Sequence, residues 1–180
     1  MTVPTLGRAP VASPVWLRTR SALETRRLAA SLAAAARPGD RIALVGPLGV
    51  GKTEFAKGFA EGLGVTDVVN SPSFTLMAEY AGRLPLFHQD LYRLADTAEA
   101  IAGGLLDERQ DAGVTVSEWA DRLDESLDVD RLTVRMMPID DETRLLEISA
   151  GGDLARRYLG VAQRWHGRPG DRESDLEARP

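Results

Sequence analysis

Apolar residues fall first in a short continuous run and then at helical spacing. The run Ile-Ala-Leu-Val at 42–45 is typical of a buried parallel strand. After a glycine-rich stretch at 46–51, apolar residues recur along one side of a helix at Phe55, Ala56, Phe59, Ala60 and Leu63. The pattern therefore predicts a strand, a glycine loop and a helix, in that order.

The rest of the pattern places further elements around this unit. Ser21 and Glu24 have the spacing of a capping box, which predicts a helix that ends before Pro38-Gly39. Strands are predicted at 74–80, 84–89, 114–118, 132–136 and 144–149, and a short helix at 97–101. The first two strands are expected to form a hairpin. The polar turn at 140–143 makes the last two strands antiparallel neighbours.

The glycine loop has the composition of a phosphate site. Gly46-Pro47-Leu48-Gly49-Val50-Gly51-Lys52-Thr53 fits the pattern G-x-x-x-x-G-K-[ST]. Backbone N–H groups and a helix N-terminus bind a triphosphate well when no side chain blocks its approach. Lys52 would place a cation beside the β- and γ-phosphates, and Thr53 would offer its hydroxyl to Mg²⁺. The match, between a strand and a helix, predicts a nucleotide site.

Composition narrows the class of protein. The chain has 180 residues, 43% of them hydrophobic, and 27 acids against 22 bases give a net charge of −5. This balance argues against a protein that coats nucleic acid. The absence of cysteine excludes disulfides, thiolate zinc sites and a cysteine nucleophile. No apolar run approaches the roughly 18 residues of a membrane span, so we expect a cytoplasmic protein that contacts no membrane.

Two acids follow predicted strands, where open α/β sheets bind their ligands. Glu118 ends the run 114–118 and resembles the acid of a Walker B strand, which could hold Mg²⁺ or orient the attacking water. Asp90 follows Leu86-Phe87-His88-Gln89 and could take whichever of these two roles, holding Mg²⁺ or orienting the water, Glu118 does not. Either acid could instead be an exposed strand end without chemistry. We favour a catalytic role for both, more strongly for Glu118.

Three other features leave two interpretations open. Ser71, Ser73 and Thr75 surround Pro72 and could either sense the γ-phosphate and Mg²⁺ or simply cap a turn. Trp119 could anchor a partner or pack in the core. For His88, a structural hydrogen bond is favoured over a role as proton carrier.

Four segments occur together in a characteristic order. They are the phosphate loop at 46–53, Ser-Pro-Ser-Phe-Thr-Leu at 71–76, His-Gln-Asp-Leu-Tyr-Arg at 88–93 and Ser-Glu-Trp-Ala at 117–120. The series resembles the TsaE (YjeE) family, small bacterial ATPases that help to make threonylcarbamoyladenosine in tRNA. The resemblance covers roughly residues 20–150. The phosphate loop is common to many proteins, whereas the other three segments together are more specific.

The resemblance implies an α/β P-loop NTPase fold. Its central sheet would be mostly parallel and flanked by helices, with an antiparallel C-terminal hairpin. The resemblance also implies ATP and Mg²⁺ as cofactors and a weak intrinsic ATPase. The protein would work as a subunit beside TsaD and TsaB, where TsaD transfers the threonylcarbamoyl group to tRNA. It would then reach tRNA only through that complex.

Carried over position by position, the family's site gives a set of expected residues. The nucleotide-binding residues are Gly46, Gly49, Val50, Gly51, Lys52, Thr53, Glu54 and Ser73; the catalytic residues are Asp90 and Glu118; the Mg²⁺ ligands are Thr53 and Glu118. The chain departs from the family at three positions. Serine replaces the frequent threonine at Ser73, which keeps the hydroxyl. Pro47 and Val50 replace aspartate and alanine, and the proline removes one N–H.

The chain divides into four predicted parts. Residues 1–18 are expected to be a flexible extension, 19–150 the P-loop ATPase domain, 151–166 a helix and 167–180 a disordered tail. Two other functions use the same loop. The protein could be a small-molecule kinase, although the segment between Asp90 and Glu118 holds only isolated arginines. It could also be a nucleotide-sensing assembly module without useful turnover.

Overall fold

A computed structural model describes residues 12–95, 97–105, 107–123 and 130–165. Within these ranges the strands are β1 (Val15–Thr19), β2 (Arg41–Val45), β3 (Met77–Tyr80), β4 (Leu86–Asp90), β5 (Val114–Glu118), β6 (Leu132–Pro138) and β7 (Arg144–Ser149). All of them join one sheet in the order β1-β7-β6-β2-β5-β4-β3. Four adjacent strands at the centre of the sheet, β6, β2, β5 and β4, run parallel. The predicted parallel centre and the antiparallel C-terminal hairpin of β6 and β7 are confirmed.

Helices pack against the sheet. They are α1 (Ala22–Ala33), α2 (Lys52–Gly62), α3 (Thr97–Ala102), α4 (Gly152–Leu154), a π-helical turn (Ala155–Leu159) and α5 (Gly160–Arg164), with 3₁₀ helices at Glu108–Ala112 and Ala120–Arg122. The predicted cap is present, because Ser21 Oγ accepts a hydrogen bond of 3.2 Å from the Glu24 amide. Phe55 and Phe59 of α2 and Leu28 and Leu32 of α1 are fully buried. In the described ranges, no helix is long and apolar enough to cross a bilayer.

The structure differs from the prediction at three places. Residues 15–18 were predicted to belong to a flexible extension, which is wrong, because Val15–Thr19 pairs antiparallel with β7 at the edge of the sheet. The predicted strand 74–80 begins only at Met77, since the Leu76 amide donates a 2.7 Å hydrogen bond to the Pro72 carbonyl and closes a turn. Its partner, predicted from 84, begins at Leu86.

The predicted helix at 151–166 corresponds to the three helical segments from 152 to 164. Residues 1–11 hold most of the predicted extension, and 166–180 hold the whole predicted tail. Both ranges lie outside the described residues. The four-part division of the chain therefore stays a prediction, apart from the strand at 15–19.

A buried carboxylate attaches the C-terminal helical segment to the loop before β2. Asp40 Oδ2 and Oδ1 accept hydrogen bonds of 2.8 and 2.7 Å from the two terminal nitrogens of Arg157. The Tyr158 hydroxyl donates a third, of 2.7 Å, to Oδ2. Burial raises the pKa of Tyr158, and its hydrogen bond to Asp40 raises it further. Asp40 thus connects the π-helical turn to the strand that leads into the phosphate loop.

Asp40→Asn is expected to lower the free energy of unfolding by about 3 kcal/mol. The amide cannot accept both arms of the guanidinium, so Arg157 keeps a poorly paired charge in a largely buried place. Urea unfolding followed by circular dichroism measures the change. Asp153→Asn is the control, because Asp153 also accepts from Arg157 but is exposed. Equal losses in the two variants would contradict the importance given to Asp40.

Candidate nucleotide-binding site

A cavity of about 390 Å³ lies where the parallel strands β2, β4 and β5 end. Its lining residues are Leu48, Gly49, Gly51, Lys52, Thr53, Glu54, Ser71, Ser73, Asp90, Tyr92, Glu118 and Trp119. The cavity therefore brings together the phosphate loop, the hydroxyl-rich turn and the ends of β4 and β5. Of the ten residues expected from sequence, only Gly46 and Val50 do not line it.

The phosphate loop lies directly against β6. At Gly46 the backbone has φ = 151°, and an added Cβ would lie 2.5 Å from the carbonyl oxygen of Met136. Both the conformation and the close approach require glycine at this position. The Val50 side chain packs into the main core with only 2% of its surface exposed. Gly46 and Val50 thus shape the loop from the side that faces β6 and the core, and they contribute to the site through their backbone atoms.

The ammonium of Lys52 is held by carbonyl groups of its own loop. Lys52 Nζ donates hydrogen bonds of 2.7 Å to Gly46 O and 2.9 Å to Pro47 O. It also lies 3.7 Å from the centroid of the Trp119 ring, within cation–π distance. Burial lowers the pKa of Lys52, and the attraction of nearby carboxylates, chiefly that of Glu118, only partly offsets this. A phosphate oxygen is a stronger acceptor than a carbonyl and would compete for this ammonium.

Glu118 connects the start of α2 to the sheet. Its Oε2 accepts a 2.9 Å hydrogen bond from Thr53 Oγ1, and its Oε1 lies 2.9 Å from His88 Nε2. In the tautomer that carries its hydrogen on Nε2, the imidazole donates this hydrogen bond to the carboxylate. Both side chains are buried, and His88 Nδ1 has no partner within the described ranges. The two predicted Mg²⁺ ligands, Thr53 and Glu118, are therefore in direct contact.

Asp90 binds the hydroxyl-rich turn. Its Oδ2 accepts hydrogen bonds from Ser71 Oγ and, at 2.7 Å, from Ser73 Oγ, while Oδ1 accepts one of 3.0 Å from the Tyr92 amide. Burial alone would raise the pKa of Asp90, but these donors outweigh it and hold the pKa below its usual range. Asp90 is thus an anion that fixes two serine hydroxyls at the wall of the cavity.

Glu54 lines the cavity, but its carboxylate is engaged elsewhere. It accepts hydrogen bonds of 2.6 Å from Arg26 Nε and 2.9 Å from Lys57 Nζ. Burial opposes ionisation, yet these two donors lower the pKa of Glu54 overall. The ion pair joins α2 to α1. Both oxygens of the Glu54 carboxylate are therefore engaged by basic side chains, and the predicted role of Glu54 in nucleotide binding stays a prediction.

Trp119 packs beside the ammonium of Lys52. Its backbone is left-handed, with φ = 58°, which is uncommon for a bulky residue. Its ring centroid lies 5.0 Å from that of Tyr92, and the ring also contacts a small buried cluster that includes Leu91. Of the two interpretations left open by the sequence, packing is the one for which contacts are seen. A role as a docking anchor stays a prediction.

Comparison with known proteins shows the family to which the chain belongs. The family described as "Threonylcarbamoyl adenosine biosynthesis protein TsaE" matches residues 19–146. The chain belongs to the TsaE family. The family match spans every element from α1 to the middle of β7, and it includes all ten expected site residues.

Individual TsaE relatives are similar over most of their length. A protein of Bacillus subtilis (strain 168) is 44% identical over 137 residues, which cover 76% of this chain and 85% of the relative. A protein of Treponema pallidum (strain Nichols) is 36% identical over 131 residues, 73% of this chain and 97% of the relative. Both are named tRNA threonylcarbamoyladenosine biosynthesis protein TsaE. The crystal structure of YdiB from Bacillus subtilis superposes with a TM-score of 0.63 at 36% identity, covering 86% and 94% of the two chains.

Some contacts of this TsaE-family site were not foreseen from the sequence. His88 was expected to make a structural hydrogen bond, but the partner proves to be the site acid Glu118. The two-residue period of a strand does place His88 and Asp90 on the same face of β4. The pairing of β4 with β5, which was not predicted from the sequence, is what brings His88 to Glu118. Ser71, which binds Asp90 beside Ser73, was weighed only as part of the turn.

Replacing Ser71 and Ser73 by alanine together should raise the pKa of Asp90. Both hydroxyls stabilise the ionised carboxylate, so their loss leaves burial as the dominant effect on this group. The carboxyl ¹³C shift of Asp90, followed by NMR across acidic pH, reports its titration. Ser31→Ala is a suitable control, because that hydroxyl binds a backbone carbonyl within α1. An unchanged Asp90 titration in the double variant would show that the serines do not set its charge.

Proposed function

We propose that this TsaE-family chain binds ATP with Mg²⁺ at the cavity and hydrolyses it slowly. It does so in the cytoplasm as a subunit that supports formation of N6-threonylcarbamoyladenosine in tRNA, beside homologues of TsaD and TsaB. The observation that carries this proposal is the 2.9 Å contact between Thr53 and Glu118 at the end of the phosphate loop. A hydroxyl and a carboxylate from separate elements meet there, next to the loop that suits a polyphosphate.

The oxygen donors at this point fit magnesium. Mg²⁺ prefers oxygen ligands and is commonly bound through one or two protein groups together with phosphate oxygens. Thr53 Oγ1 and Glu118 Oε2 are such groups, and His88 orients the carboxylate from its other oxygen. When bound, Mg²⁺ would supply positive charge that stabilises the phosphates in the transition state. Thr53 and Glu118 would hold it there.

The remaining residues have separate tasks in this proposal. Backbone N–H groups of the loop bind phosphate oxygens, and Lys52 leaves its carbonyl partners to contact the β- and γ-phosphates. Asp90 keeps the hydroxyls of Ser71 and Ser73 at the cavity wall, where the turn can respond to the nucleotide. Glu54 contributes by fixing α2 against α1 through Arg26.

Slow hydrolysis is supported by the state of the two acids. Both oxygens of Glu118 and both oxygens of Asp90 already accept hydrogen bonds from the protein. The lowered pKa of Asp90 also makes it a weak base. Neither carboxylate is therefore arranged to take a proton from water. A partner that rearranges these contacts would accelerate turnover.

The proposed pathway is taken from the names of the relatives, and the proposed partners from the family resemblance of the sequence. The proteins of Bacillus subtilis and Treponema pallidum are named for tRNA threonylcarbamoyladenosine biosynthesis. The match to the first covers most of both chains, so a role in the same pathway is the economical proposal for this chain. Association with TsaD and TsaB homologues follows from that role.

Lys52→Ala and Glu118→Gln should have different effects on purified protein. Losing the ammonium should weaken binding of Mg²⁺ and ATP by about 100-fold, because charge-assisted contacts to the phosphates are lost. Glu118→Gln keeps the size of the side chain and should bind nucleotide, but it should lower turnover by about 100-fold, because a neutral amide holds Mg²⁺ less well than a carboxylate. Calorimetry and phosphate release measure the two effects. Lys57→Ala, one turn further along α2, is the control for charge; equal loss of binding in the Lys52 and Glu118 variants would refute this division of roles.

Hydrolysis should rise when TsaB and TsaD homologues and tRNA are added to the protein. We expect at least a tenfold increase in phosphate release, because the proposal assigns the rearrangement of the two acids to the partners. The measurement compares the protein alone, with partners, and with partners and tRNA. Turnover that appears only with a small-molecule acceptor would instead indicate a kinase. Nucleotide-dependent assembly without any turnover would indicate a sensing module.

A further inference from the structure

The phosphate loop is tied to the β6–β7 hairpin by one arginine. Arg144, the first residue of β7, donates a 2.9 Å hydrogen bond from Nε to the carbonyl oxygen of Val50. Its terminal nitrogens donate to the carbonyls of Asp140, Thr143 and Asp141 at 2.8, 3.0 and 3.1 Å. One guanidinium therefore binds the turn of the hairpin and the loop at the same time.

The turn that holds Arg144 is itself ordered. Asp140 Oδ1 accepts hydrogen bonds of 2.9 and 2.7 Å from the amides of Glu142 and Thr143. The Ile139 amide donates a hydrogen bond of 3.0 Å to the Thr143 carbonyl across the turn. The guanidinium is thus fixed by three carbonyls of a braced turn. Its Nε–H is thereby held in a defined position facing Val50.

The geometry of a peptide bond carries this restraint into the site. The carbonyl of Val50 and the N–H of Gly51 belong to one planar trans peptide, in which the two groups point in opposite directions. Arg144 holds the carbonyl on the hairpin side, so the Gly51 N–H is directed the other way. Gly51 lines the cavity, and its φ of 109° is one that glycine adopts without side-chain strain. Without a fixed carbonyl, this peptide could rotate and turn its N–H away.

We propose that Arg144 is a positioning residue for nucleotide binding, which holds the Val50–Gly51 peptide so that the Gly51 N–H faces the phosphates. This inference rests on the proposed function, because it assumes that the loop binds a polyphosphate. Arg144 contacts the loop on the side of the hairpin and acts on the site only through the Val50–Gly51 peptide. Its partners are backbone atoms, so the requirement is for the shape of the guanidinium and not only for its charge.

Arg144→Gln should weaken binding of the nonhydrolysable analogue AMPPNP with Mg²⁺ by about tenfold or more, the expected effect of one lost charge-assisted contact. Calorimetry on the folded full chain gives the affinity. Turnover at saturating ATP should fall much less than the apparent affinity, so KM rises more than kcat falls. Arg135→Gln is the matched control: it removes the same charge from the same hairpin, where Arg135 is half-exposed beside Glu147.

Arg144→Lys separates shape from charge. An ammonium keeps the positive charge but cannot bind Val50 and the turn with one rigid fork, so its affinity should lie between those of the wild type and Arg144→Gln. This variant also carries the test if Arg144→Gln does not fold. Wild-type affinity in Arg144→Lys, or an affinity change in Arg135→Gln equal to that in Arg144→Gln, overturns the inference.

Unfolding in urea distinguishes a positioning role of Arg144 from a role in stability alone. If Arg144→Gln lowers the free energy of unfolding but leaves the affinity for AMPPNP unchanged, the inference is overturned and the proposed function is unaffected. A wild-type protein that binds no AMPPNP overturns both. Weaker binding in the folded Arg144 variants, with the Arg135 control unchanged, supports the positioning role.

Discussion

The parallel pairing of β5 with β2 and β4 is the constraint on which the site depends. It sets Glu118 beside Leu44 on one side and beside Asp90 on the other, so both acids end their strands where β2 enters the phosphate loop. Because side chains alternate along a strand, a register slip of one residue would send an acid to the opposite face of the sheet. The alternation along β5 resists such a slip, because Val114 and Val116 pack in the main core while Thr115 and Ser117 hydrogen-bond to glutamine side chains.

This pairing also determines how the buried charges are satisfied. A carboxylate removed from water is costly unless donors surround it. His88, two residues before Asp90 on β4, reaches Glu118 across the parallel pair, and the turn after α2 brings Ser71 and Ser73 to Asp90. Each acid is therefore oriented by groups from another element. Such outer partners fix a site before any ligand arrives.

Local chemistry explains which features could be predicted. The phosphate loop, the cap at Ser21, the strand-end acids and the hairpin of β6 and β7 all follow from spacings within a few residues. What escaped prediction depends on contacts between distant parts of the chain. The strand at 15–19 exists because β7, near the other end, offers it an edge. The bond from Arg144 to Val50 spans 94 residues, and no periodicity in either segment indicates it.

The side chains that would contact nucleotide, metal or water already make hydrogen bonds within the protein. Lys52 donates to Gly46 and Pro47, Thr53 donates to Glu118, and Asp90 accepts from the serine turn. Ligand binding is then an exchange of hydrogen bonds, in which each new contact replaces one that is lost, so the net gain per contact is small. Phosphate is charged and therefore favoured in the exchange at Lys52. Water, being neutral, has no such advantage at the two acids. Under the proposed function, this difference explains why the site would bind nucleotide readily but hydrolyse it slowly.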